Sequence, residues 1–143
     1  MRAAYKWIST LVVVAVVIQV GFAGFGAFYA AHKLDNSDTH PKTMTSDQFD
    51  TGFGAHFFGA LAVILLVLAL LVVSLIGGFG RYRLGRAGVL ALLVVLQVLL
   101  AGIAFGVPAF GFLHAVNALV ILSFAGWTAA NEWRLSRIPP ATT

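Results

Sequence analysis

The sequence predicts an all-α integral membrane protein, a four-helix bundle built from two helical hairpins that repeat in parallel. Three observations carry that prediction. Of 143 residues, 60% are hydrophobic and only 10% are charged, which is a bilayer composition and not that of a soluble domain. Four apolar runs, roughly residues 7–30, 53–77, 87–107 and 110–130, each reach the ~20 residues that cross a ~30 Å hydrocarbon core as a helix. The chain also repeats itself. Gln19-Val20-Gly21-Phe22-Ala23-Gly24 matches Gln97-Val98-Leu99-Leu100-Ala101-Gly102, and His56-Phe57-Phe58-Gly59-Ala60-Leu61 matches His114-Ala115-Val116-Asn117-Ala118-Leu119. Gln and His are rare in such segments, so their recurrence gives the repeat its weight. No ten-residue alternation suggests a barrel.

Arg2 and Lys6 precede the first run. A secretory signal peptide is the competing reading of that run, but its apolar length exceeds the usual ~7–15 residues, and Gln19 within it takes part in the repeat. The following loop, about residues 31–52, carries Asp35, Asp38, Asp47 and Asp50 against Lys33 and Lys42. The second run leads to Arg81, Arg83 and Arg86, the third to a short turn around Pro108, and the fourth to Arg134 and Arg137. By the positive-inside rule both termini and the middle turn are cytoplasmic, and the acidic loop lies outside. Residues 1–143 then form one transmembrane domain in a lipid bilayer. The net charge of +4 is accounted for by topology and headgroups, without nucleic acid.

In this arrangement the hairpins share one orientation, which implies a pseudo-twofold axis along the membrane normal. His56 and His114 enter the second and fourth helices three or four residues from the outer ends of the apolar runs. At ~1.5 Å per residue both rings sit ~5 Å below the outer boundary, and the axis allows them to face one another. Gln19 and Gln97 fall near mid-membrane, with Gly24 and Gly102 further outward. The small residues suit close helix packing or leave space for a flat macrocycle.

Ionisable groups in hydrocarbon are costly unless paired or ligated. Each His alone is satisfied by a hydrogen bond to a carbonyl or headgroup. As a pair at one depth, they are arranged to ligate haem iron from both axial sides within a bundle core. Zinc is the competing metal, but a structural zinc site takes four ligands, and neither His has a Cys, Asp or Glu near it within its helix. The absence of cysteine removes disulfides, thiolate sites and iron–sulfur clusters. His32 and His40 read as solvated loop residues, with weak metal binding or propionate contact as the alternative. Lys33 and Lys42 are candidate propionate partners. Gln19 and Gln97 read as interhelical hydrogen-bonding groups or as contacts to a quinone or haem edge, and Asn117 as an interhelical bond. Trp7, Trp127, Trp133, Tyr29 and Tyr82 need only the aromatic belt.

With His56 on the second helix, His114 on the fourth and Leu96-Gln97-Val98-Leu99-Leu100-Ala101-Gly102 on the third, the chain resembles one half of the haem A synthase family. Members carry two tandem four-helix bundles, each with a haem-binding histidine pair on its second and fourth helices. The resemblance implies a haem fold in which His56 and His114 are the metal ligands. It departs where the family places a catalytic carboxylate three residues before the first histidine, because that position here is Phe53, with Asp50 a further turn away. The second bundle and the loop cysteines of many members are also missing. The chain is similar, too, to an uncharacterised family of small bacterial four-helix membrane proteins, which implies a multi-pass protein of the bacterial inner membrane.

The function expected is that of a small b-type cytochrome. One haem b would be ligated by His56 and His114 near the outer face, with Gln19, Gln97, Gly24 and Gly102 bounding the pocket. It would serve electron transfer or haem handling, with a quinone or redox protein as partner. The alternative is a non-catalytic accessory or assembly subunit of a larger membrane complex, respiratory in type, without its own cofactor. A larger complex, or a homodimer that rebuilds eight helices, is the expected kind of protein partner. Haem-modifying catalysis is disfavoured by the missing carboxylate, and proton pumping by the lack of an acidic relay.

Overall fold

The computed structural model describes residues 1–38 and 42–137. The His40 reading lies outside the described residues. The protein has four helices, α1 Arg2–Asp35, α2 Ser46–Ile76, α3 Arg81–Ala104 and α4 Ala109–Leu135, and no strand among the described residues. All four are long and apolar enough to cross a membrane. Each helix packs on its two neighbours in a closed ring, α1 on α2, α2 on α3, α3 on α4 and α4 on α1, leaving α1/α3 and α2/α4 as diagonals. Short turns at residues 77–80 and 105–108 force antiparallel neighbours. The first uses Gly78 at φ +60°, a conformation that favours glycine.

The helices outrun the apolar runs. At ~1.5 Å per residue, α1 and α2, of 34 and 31 residues, are longer than the hydrocarbon is thick, so their polar ends project beyond it. The start of α2 is set by a capping box. Thr45 Oγ1 accepts from the Gln48 amide at 3.2 Å, and Gln48 Oε1 accepts from the Thr45 amide at 3.0 Å. Asp47 in the first turn adds a favourable charge. The outer connection is therefore residues 36–45, shorter than the loop expected from hydropathy.

The core follows alternating steps of three and four residues. On α1 it takes Tyr5, Ser9, Val12, Val16 and Gln19, and on α2 Val63, Val67, Leu70 and Ser74. Such spacing keeps one seam inward in a left-handed bundle. The repeat extends along this seam. Ala87, Leu90 and Val94 on α3 stand where Ser9, Val12 and Val16 stand on α1, while Ile121, Ala125, Thr128 and Glu132 on α4 match Val63, Val67, Leu70 and Ser74 on α2. Many other large apolar side chains, such as Phe58, Leu65 and Leu92, are exposed on the outer surface of the bundle, as lipid contact requires.

Side chains tie the basic end. Tyr5 Oη donates to the Arg83 carbonyl at 3.2 Å, and Trp133 Nε1 donates to Thr10 Oγ1 at 3.0 Å. Lys6 lies 4.1 Å from the Trp133 ring centroid. Both termini of the bundle and the α2–α3 turn thus share the end that the charge rule places in the cytoplasm.

Candidate functional site

The fold brings His56 and His114 together. Their helices are diagonal partners, and the two ring centroids lie 6.2 Å apart with planes at 68°. Each ring is anchored in the same way within its own hairpin. His56 Nδ1 lies 3.2 Å from the backbone carbonyl oxygen of Gln19, and His114 Nδ1 lies 3.1 Å from that of Gln97. A carbonyl oxygen only accepts, so both Nδ1 atoms carry the proton and both Nε2 atoms carry the lone pair. Metal-binding histidines are oriented by the same second contact.

The glutamines bond between helices. Gln19 Nε2 donates to the His56 carbonyl at 3.0 Å, while its buried Oε1 has no partner among the described residues. Gln97 Nε2 lies 3.1 Å from His114 Nε2 and, being an amide nitrogen, is the donor. Its orientation is fixed by a chain of contacts. Asn117 Nδ2 donates to the Leu93 carbonyl at 3.0 Å and to Gln97 Oε1 at 2.7 Å, which turns the Gln97 nitrogen towards His114. Asn117 therefore bonds between helices, as its sequence position suggests.

Gly24 and Gly102 are not the close contacts of the bundle, since a β-carbon at either would meet nothing within 4 Å. The tight crossing lies at Gly26 and Gly52. A β-carbon on Gly26 would stand 2.6 Å from the Phe53 ring and 2.8 Å from the Gly52 carbonyl oxygen. Phe53 packs here and against Phe49, with centroids 5.1 Å apart. Phe49 also meets Phe57 and Phe105, at 6.3 and 6.4 Å. Lying two helical turns outward of His56 on the same face, Phe49 joins α2 to the end of α3 with apolar surface. Asp50 is exposed.

Lys33 belongs to the last turn of α1 and not to the loop, and its Nζ lies 5.4 Å from the Tyr29 ring centroid. Lys42 Nζ, in the loop, donates to the Asp35 carbonyl at 2.8 Å. His32 is exposed and pairs with Asn36 one turn on. Among the described residues no group of three or more His, Cys, Asp or Glu is placed to hold a metal ion.

One cluster is not anticipated from the sequence reading. Glu132, with 3% of its side chain exposed, takes a two-atom contact from Arg83, Nε to Oε1 at 2.9 Å and Nη2 to Oε2 at 2.9 Å, with Arg86 at 3.8 Å. The Arg86 guanidinium lies 4.5 Å from the Trp127 ring centroid. A cavity of about 290 Å³ opens beside these side chains. The available signal was that Glu132 is the one glutamate in the chain and follows an apolar run. Tyr5 and Thr128, both fully buried at this half of the bundle, are likewise not marked by sequence position alone.

Comparison with known protein families, with curated proteins and with solved structures finds no match to this chain.

Proposed function

We propose that this protein is a small membrane haem protein in which His56 and His114 ligate one haem b near the outer face, for electron transfer or haem handling. The observation that supports it is the pair itself, two imidazoles on diagonal helices, each with Nδ1 bound to a carbonyl and its lone pair on Nε2. Their 6.2 Å separation is compatible with one shared metal ion, since two bonds of about 2 Å plus two ring radii sum to about 6 Å. Two ligands are too few for structural zinc and are the number that haem iron takes axially.

The surroundings fit the group in two respects. Gln19 presents a buried oxygen that is unpartnered among the described residues, and the phenylalanines around Phe49 supply an apolar outer wall. Haem would bring one-electron chemistry. The chain's own residues would orient it, hold its ligands in one tautomer and exclude water. Lys33 and Lys42, at the acidic end of α1, remain the candidates to meet its propionates. A quinone or redox protein would exchange the electron, and the setting would be the bacterial inner membrane. The resemblance to half of a haem A synthase supports the same reading, while Phe53 argues against carrying over its activity.

The test is the visible spectrum of the protein purified in mild detergent. A low-spin haem spectrum that His56→Ala and His114→Ala each abolish is expected. Normal low-spin haem in both single variants would sink the ligation.

One observation favours a second reading, an accessory subunit of a larger membrane complex without a cofactor. Gln97, held by Asn117, satisfies His114 at both ring nitrogens without any ligand. No haem after supplementation, with the protein co-purifying in a stable complex, would select it.

A further inference from the structure

The two halves anchor their histidines alike at Nδ1 and differently at Nε2. His114 Nε2 accepts from Gln97 at 3.1 Å, whereas the Gln19 amide in the other half is turned away to the His56 carbonyl at 3.0 Å. The difference traces to one repeat position. Asn117, one turn after His114, holds Gln97 Oε1. The equivalent residue after His56 is Gly59, and the Gln19 side chain occupies the place its β-carbon would take. Nothing therefore turns Gln19 towards the His56 ring, and its own oxygen is left without a partner.

We propose that the histidines are unequal ligands, with His56 the standing axial ligand and His114 an exchangeable one held back by a Gln97–Asn117 latch. The proposal rests on the haem reading above. To ligate, His114 must give up the bond from Gln97, which leaves a half-buried amide donor unpaired. Loss of one such bond weakens the second ligation roughly tenfold. The axial position on the His114 side is then a binding site for a small neutral π-acceptor ligand. Such a site suits a protein that receives and releases haem better than one that only relays electrons, because full bis-His ligation leaves no open position.

The test uses the full-length protein in mild detergent, with carbon monoxide as the probe of the dithionite-reduced haem. Wild type is expected to bind carbon monoxide, and Gln97→Leu, which removes the latch, to bind it about tenfold more weakly as His114 ligates more firmly. His114→Ala is expected to keep haem in a high-spin form and His56→Ala to lose it. In haem-free protein, Gln97→Leu should move the ¹⁵N resonance of His114 Nε2 and leave that of His56 in place. Equal haem loss from both histidine variants, or unchanged carbon monoxide affinity in Gln97→Leu, would overturn the inequality while leaving the ligation standing. Absence of haem from every form would overturn both.

Discussion

The side-chain amide of Gln19 fills the space where a β-carbon on Gly59 would stand, and it donates from there to the His56 carbonyl at 3.0 Å. Gly59→Ala must displace that amide and break its bond, worth about 1 kcal/mol. In a Gln19→Ala background the space is free and that penalty disappears. A double-mutant cycle on unfolding in detergent should give a coupling of about 1 kcal/mol. Additive effects would contradict the placement.

Asn117 and Gln19 should respond unequally to removal of their polar groups. Asn117→Leu strands Gln97 Oε1, which then lacks its 2.7 Å donor, at a cost of about 1–3 kcal/mol. Gln19→Leu removes one bond together with an oxygen that is already unpartnered, so its cost should stay under about 1 kcal/mol. The reverse order of stabilities would show that the Gln97 orientation is wrong.

Glu132 is the charge that the basic end is built around. Glu132→Ala leaves two arginines facing one another in the cavity, and breaking a buried pair costs about 3–5 kcal/mol. The lower end, about 3 kcal/mol, is expected because each arginine side chain keeps 20% of its surface exposed and can regain water. Arg86→Gln should cost less than Arg83→Gln, since its contact is 3.8 Å against 2.9 Å. Unfolding followed by tryptophan fluorescence reads both comparisons, and a neutral Glu132→Ala would remove the pair from the stability account.

The carbonyl contacts of both rings specify a tautomer. In ¹⁵N-histidine spectra of haem-free protein, His56 and His114 should both appear protonated at Nδ1. An Nε2-protonated ring at either position would break the repeat of the anchors.

Much of this architecture is legible in the sequence alone. Apolar run length located four spans because a bilayer imposes that length, and the matched Gln and His positions indicated which helices would be diagonal. The helix ends were not legible from hydropathy. The capping box at Thr45 and Gln48 is polar, so α2 begins well before its apolar run. Nor was the Glu132 pairing, because Arg83 and Arg86 are sufficiently explained as topology signals when read alone. The packing glycines were misplaced by a short distance, since small residues recur at Gly21, Gly24 and Gly26 and only the crossing geometry picks out Gly26. The unequal histidines depend on Gly59 against Asn117, a difference that looks minor until the side-chain contacts are traced.

The most direct measurement of the central claim is the dithionite-reduced minus oxidised absorption spectrum of the purified protein. A sharp α band and a Soret shift are expected in the wild type, with the sharp α band lost in His56→Ala and in His114→Ala. A featureless spectrum that persists after haem supplementation would contradict the claim.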